Sequence, residues 1–230
     1  YAFATTDPNE GVARVPDSRL SLLGEMSNSK KIVPATIQFT DIGGLVEGAA
    51  KGEGLGNRFL AGIREVDAIV FVLRAFSDSD VPGPTDPVEN LRIVEVELAL
   101  ADLETTQKQL SKIEKAARAD KSIGQILDSL KHASEQLDEG VPIYKSDLTS
   151  EERELLSDFF LLTDKPVLAV VNMGEDQVEE TNQILEPVIA ELSGQEVIGM
   201  CVQLESEAAL LTPEEQAEML EALGLGEGAL

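Results

Sequence analysis

Two runs in this chain, AIVFVL at residues 68–73 and VLAVV at residues 167–171, have no polar face. A strand with one wet face alternates polar and apolar residues, whereas a strand apolar on both faces must be covered on both, as in the middle of a parallel sheet wrapped by helices. Further β-branched runs occur at residues 11–15, 37–39 and 197–202, and most of the five are followed by a helix-like stretch. The expected fold class is therefore α/β, with a mostly parallel sheet.

Strand signal stops between the third and fourth of these runs. Asp86-Pro87 opens a helix, with proline at a tolerated first-turn position. Leu91, Val94, Leu98, Leu103, Leu110, Ile113 and Ala117 then recur at steps of three, four, five and seven residues, over a length unusual for a globular helix. A second helix, residues 122–137, carries Ile126, Leu127, Leu130 and Leu137, and the two together predict an antiparallel coiled-coil hairpin. Thr149 with Glu152 three residues on predicts a capping box and a third helix. The expected division is a first part of the α/β domain over 1–85, a helical coiled-coil insertion over 86–162 and a second part of the α/β domain over 163–230.

Charge and cysteine content narrow the class further. With 43 acidic against 18 basic residues the formal net charge is −25, which opposes any global attraction to DNA or to an anionic membrane, and neither partner is expected. Against that background Lys108, Lys112, Lys115, Arg118 and Lys121 gather toward the hairpin tip. They read either as a solvated helix face or as a contact surface for RNA. The single cysteine, Cys201, cannot form an internal disulfide, as expected of a cytoplasmic protein.

The stretch DIGGLVEGAAKGEGLG at residues 41–56 has the glycine density of a phosphate loop but not the spacing of one. Its closest dinucleotide-binding frame, Gly52 and Gly54, meets Asn57 where a third glycine is needed. A P-loop needs Gly-Lys-Ser/Thr, and no Gly-Lys dipeptide occurs in the chain. TIQFT at residues 36–40 reads instead as a strand ending at Asp41. Asp41-x-x-Gly44 after a strand is the arrangement by which P-loop NTPases bring a carboxylate near Mg²⁺ through water and a glycine N–H near the γ-phosphate. Taken alone it reads first as a strand-end turn with an acidic residue.

Asn172-Met173-Gly174-Glu175 follows the strand KPVLAVV. GTPases carry Asn-Lys-x-Asp at such a strand end, and the aspartate accepts two hydrogen bonds from guanine. Glu175 has the charge on a longer side chain and Met173 replaces the lysine, so base recognition without guanine selectivity is expected, an ordinary strand-to-helix turn being the other reading. Cys201-Val202-Gln203, after the last strand, lies where GTPases touch the base with backbone. Thr5 stands ahead of the second strand, where a switch threonine would ligate Mg²⁺.

The order of these elements, with the segments YAFATTDPNEGVARVPDSRL, TDIGGLVEGAAKGEGLGNRFLAGIREVDAIVFVLRAF, VELALADLE, LLTDKPVLAVVN and NMGED, resembles the YchF-type ATPases of the Obg family of P-loop NTPases along nearly the whole chain. The resemblance implies a G-domain-like fold and an ATP-hydrolysing switch, with weaker preference for GTP, associated with ribosomes or ribosomal RNA. It makes residues 41–56 switch II, with Asp41, Gly44 and Leu45 at its start. Asn172, Met173, Glu175, Cys201, Val202 and Gln203 become the base-binding set. Thr5 and, through water, Asp41 would serve Mg²⁺. Leu45 stands where Ras-like proteins carry the glutamine that orients water, and the loop 77–84, where the family's suggested histidine would lie, holds Asp80 instead. No catalytic base is named by these residues. His132, the lone histidine, reads as a solvent-facing residue of the insertion. The family also carries a first strand with a P-loop ahead of residue 1 and a TGS domain beyond residue 230, so the chain is expected to be a fragment that binds nucleotide poorly by itself. A GTPase of the Obg family and a non-hydrolysing scaffold are the competing expectations.

Overall fold

The structure, a computed structural model, describes residues 9–42, 60, 62–78, 83–117 and 123–222. It falls into two compact units, residues 1–46 and 47–230.

In the first unit, β1 (Glu10–Arg14), α1 (Arg19–Met26) and β2 (Thr36–Thr40) follow one another, and β1 pairs antiparallel with β2 from Glu10 opposite Thr40 to Arg14 opposite Thr36. It is the antiparallel pair of a fold whose other two strand pairings, among the described residues, are parallel. The connection through α1 returns the chain beside its own start, so the second strand runs back against the first. Gly24 is buried in α1, where an added Cβ would collide with the Ile32 side chain. Ile37 and Phe39 of β2 remain about half exposed, at 51% and 49%.

The second unit holds a three-stranded sheet in the order β3 (Ile69–Arg74), β4 (Val167–Asn172), β5 (Glu196–Met200), both pairs parallel. β4 is the buried centre, with Ala169 and Val171 at 0% exposure. β3 departs from the sequence expectation. One of its faces is covered, through Phe71 and Leu73, but Val72 on the other is 66% exposed, because among the described residues no strand or helix covers that side. β5 ends at Met200, two residues before the end of its apolar run, because Cys201 caps the next helix.

Between β3 and β4 the chain makes α2 (Pro87–Ala117), α3 (Gly124–Asp138) and α4 (Ser150–Leu156). At 31 residues α2 is about 46 Å long at 1.5 Å per residue. It starts where expected, with the Asp86 carboxylate accepting from the Val88 N–H at 2.8 Å. Ala99 of α2 joins Leu130, Ala133 and Leu137 of α3 and Leu156 of α4 in one cluster, against which Leu103, Leu110 and Ile113 pack. The short link between α2 and α3 makes their pairing a helical hairpin. α4 begins with the expected capping box: Thr149 Oγ1 accepts from the Glu152 N–H, and the Glu152 carboxylate accepts from the Thr149 N–H at 2.8 Å. Further along the chain, α5 (Thr181–Leu192), α6 (Val202–Ala208) and α7 (Pro213–Ala222) follow. No helix among the described residues is long and apolar enough to cross a membrane.

Candidate functional site

Parallel register brings the ends of the three strands level: Arg74 lies opposite Asn172, and Asn172 opposite Met200. The carboxyl ends of parallel strands are where open α/β sheets bind ligands. Here the loops that leave them are stitched into one rim. The Ala75 N–H donates to the Asn172 carbonyl at 2.9 Å, and the Met173 N–H donates to the Met200 carbonyl at 2.9 Å. The Val202 N–H, at the start of α6, donates to Asn172 Oδ1 at 3.1 Å. Asn172 thus ties the loop after β3 with its backbone and the loop after β5 with its side chain.

Met173 turns inward and is 3% exposed. It fills the space above Gly199, where an added Cβ would come within 3.0 Å of the methionine methyl. Glu175 opens a 3-10 helix, residues 175–180, and is exposed at the rim. Cys201 is buried at 4%, while Val202 and Gln203 are exposed, with Gln203 Nε2 donating to Glu207 Oε1 at 3.2 Å. The tetrapeptide at the end of β4 and the tripeptide at the end of β5 therefore share one edge of one sheet.

Two neighbours of this rim were not singled out in the sequence. Gln177 accepts from the Gly174 N–H at 2.8 Å and donates to the Ala75 carbonyl at 3.0 Å. The Arg74 guanidinium lies 5.2 Å from the Phe76 ring centroid and donates to the Phe76 carbonyl at 2.9 Å. The first had a signal available, glutamine three residues after a helix-opening glycine, which is a capping-box spacing. Nothing local marks the second.

Asp41 belongs to the other unit, at the end of β2, with its N–H donated to the Asn9 carbonyl at 2.8 Å and its side chain exposed. An exposed lone carboxylate suits an ion that keeps most of its waters, as Mg²⁺ does, and among the described residues no group of three acidic, histidine or cysteine side chains forms a metal cage. Thr5, Gly44, Leu45 and Asp80 lie outside the described residues.

The base of the helical hairpin holds a second set of polar contacts. Asp102 of α2, at 0% exposure, accepts from the N–H groups of Leu162 and Thr163 at 2.9 and 2.7 Å and from Thr163 Oγ1 at 2.8 Å. Burial pushes its carboxyl above the usual range, and the three donors oppose that rise. Arg64 donates to Thr105 Oγ1 and to the Phe160 carbonyl, both at 3.0 Å, and Lys165 caps the helical turn at 62–65 by donating to the Val66 carbonyl at 2.6 Å. Burial and the Glu95 carboxylate raise the Tyr144 hydroxyl, which donates to Glu95.

His132 corrects its expected solvent-facing position. Its ring is 32% exposed and lies between two carboxylates, Nδ1 2.9 Å from Glu152 and Nε2 2.9 Å from Asp147. The two carboxylates come from the turn before α4 and from α4 itself, fifteen and twenty positions along the chain. The Glu152 hydrogen bond holds the imidazole above its ordinary value, while His132 and Thr149 pull Glu152 down to about 2. Lys108, Lys112 and Lys115 share one exposed side of α2, Lys108 pairing with Glu104 at 2.5 Å. Arg118 and Lys121 lie outside the described residues.

A family model described as a 50S ribosome-binding GTPase matches residues 1–173. The ribosome-binding ATPase YchF of Bacillus subtilis is 42% identical over 238 residues, taking in all of this chain and 65% of that protein. An Obg-like ATPase homolog of Schizosaccharomyces pombe is 38% identical over 97% of this chain and 56% of its own length. A solved structure of the Schizosaccharomyces pombe YchF GTPase superposes with a TM-score of 0.80 at 34% identity, covering 99% of this chain and 64% of that one. The chain spans just under two thirds of the length of the curated YchF proteins it matches.

Proposed function

The chain belongs to the family of 50S ribosome-binding GTPases and is of the YchF type, and from that premise we propose that it is the nucleotide-reading portion of a switch that binds and hydrolyses ATP, with weaker preference for GTP. One observation carries the ATP reading. Glu175, exposed on the rim, offers a carboxylate on a longer side chain than the aspartate that guanine recognition uses. The flanking residues take supporting roles: Asn172 holds the rim together, Met173 packs beneath it, and the turn of Cys201, Val202 and Gln203 would lie alongside the base.

Asp41 and Gly44 would sense the γ-phosphate, and Thr5 with water-linked Asp41 would serve Mg²⁺, whose role is to neutralise the phosphates. Residues 86–162 would form an arm that reports nucleotide state to a ribosome, through Lys108, Lys112 and Lys115 together with Arg118 and Lys121, in the cytoplasm.

Competition between ATP and GTP tests the assignment. Glu175→Asp should raise GTP affinity relative to ATP by about tenfold, the scale of one well-made polar contact. If the substitution moves neither affinity, Glu175 does not read the base. A GTPase is the second reading, favoured by the GTPase description of the family model. It predicts GTP outcompeting ATP in the unsubstituted protein. Leu45, which cannot orient a water, favours a non-hydrolysing scaffold, and single-turnover hydrolysis separates that scaffold from a slow enzyme.

A further inference from the structure

We infer that Gln177 is a positioning residue for nucleotide selectivity: its carboxamide bridges the turn that carries Glu175 to the end of β3. The inference rests on the base-reading role of Glu175.

Glu175 stands at the start of a one-to-two-turn 3-10 helix, whose hydrogen bonds are poorer than those of an α-helix. Left to its backbone, such a turn would hold a carboxylate loosely. Selectivity between two bases that differ in donor and acceptor pattern needs the reading group fixed to within a fraction of an ångström. Gln177 supplies that fixation from both ends of one side chain. Its Oε1 accepts from the Gly174 N–H at 2.8 Å while its own N–H donates to the Gly174 carbonyl at 3.0 Å, closing the turn on itself. Its Nε2 reaches the Ala75 carbonyl at 3.0 Å, across 102 positions of sequence.

The partner on that side is itself held. The Ala75 N–H is bonded to the Asn172 carbonyl at 2.9 Å, so hydrogen bonds link Asn172 to Ala75, Ala75 to Gln177 and Gln177 to Gly174, and the backbone from Asn172 to Gly174 closes the circuit around the root of Glu175. Only a side chain with an acceptor and a donor on one planar group can complete it. A carboxylate in place of the amide would keep the Gly174 contact and set a negative charge against the Ala75 carbonyl. An aliphatic chain of the same length would lose both bonds. Gln177 is half-buried, so its amide competes with little water for these partners.

A merely structural role would weaken the binding of every nucleotide alike. A positioning role changes the ratio between them. The experiment uses the complete protein with Mg²⁺ and calorimetric titration of non-hydrolysable ATP and GTP analogues, on the unsubstituted protein and on Glu175→Gln, Gln177→Met and Gln177→Glu. Gln177→Met is expected to bring the ATP-to-GTP affinity ratio toward unity by about three- to tenfold, the range of one or two missing hydrogen bonds. Gln177→Glu is expected to do the same, because it breaks the Ala75 arm alone. Equal losses for both nucleotides, or none, in Gln177→Met and Gln177→Glu overturn the proposal. If Glu175→Gln moves neither affinity, the base-reading role has failed, and the proposal falls with it. If Glu175→Gln shifts the ratio and the Gln177 variants do not, that role stands and Gln177 has no part in it. Should Gln177→Met fold poorly, hydrogen exchange at Gly174 in Gln177→Glu supplies a second reading: retained protection there with a shifted ratio supports the Ala75 bridge, and retained protection with an unshifted ratio overturns it.

Discussion

Asp102 is a carboxylate with no exposure, held in an environment that its charge alone would not favour. Its carboxylate is fully buried on α2, and it satisfies two backbone N–H groups and a hydroxyl in the turn ahead of β4. Removing it strands those donors away from water. Asp102→Ala should lower unfolding stability by about 3 kcal/mol, and Asp102→Asn, which keeps one acceptor, by about half as much, measured by denaturant titration. His132 makes a prediction in pH. Its folded-state value lies above the ordinary 6.5, so the stability it contributes is complete below 6.5 and is lost as pH climbs through the raised value. Glu152 falls from 4.5 to about 2, so its contribution is complete above 4.5 and is lost as pH falls toward 2. The clamp is therefore strongest between about 4.5 and 6.5, and thermal melts of His132→Gln from pH 4 to 9 should show that maximum flattened. An unchanged profile would remove His132 from the account. Neither residue could be read from its neighbours in sequence, because the partners of Asp102 lie about sixty positions away and those of His132 fifteen and twenty.

At the scale of elements, local chemistry was legible wherever a side chain acts on its own backbone. The start of α2 at Asp86-Pro87 and the capping box of α4 were both visible as short patterns, since the atoms that meet are two or three residues apart. Thr149→Ala should cost about 1 kcal/mol, with hydrogen exchange quickening first in α4. That helix is only seven residues long and also carries Glu152 toward His132, so loosening it should in turn lower the His132 value. The heptad-like spacing in α2 and α3 likewise picked out residues that the structure packs together, Leu103, Leu110, Leu130 and Leu137 among them. Strands were less legible. AIVFVL is apolar throughout, yet its Val70 and Val72 are 38% and 66% exposed, because composition reports what a strand can bury and its neighbours decide what it does bury.

For the whole molecule, a net charge of −25 means that the proposed contact with RNA would have to be local and to overcome repulsion from the rest of the surface. Replacing Lys108, Lys112 and Lys115 with glutamate should reduce cosedimentation with ribosomes, and should flatten its salt dependence by about 0.9 for each phosphate that these lysines no longer neutralise. Unaltered pelleting with an unaltered slope would remove this face of α2 from the contact. The sequence by itself determined the α/β class, the helical stretch between the third and fourth strand runs, and the tetrapeptide and tripeptide that end β4 and β5, since each is written in periodicities and turn chemistry that span a few residues. Only the tertiary structure decided that Arg74, Asn172 and Met200 stand level at one edge, that Met173 is buried beneath that edge, and that Gln177 closes the circuit to Ala75. Those contacts join segments about a hundred or about thirty residues apart, and they exist because parallel pairing sets the register of whole strands, which no window of sequence contains.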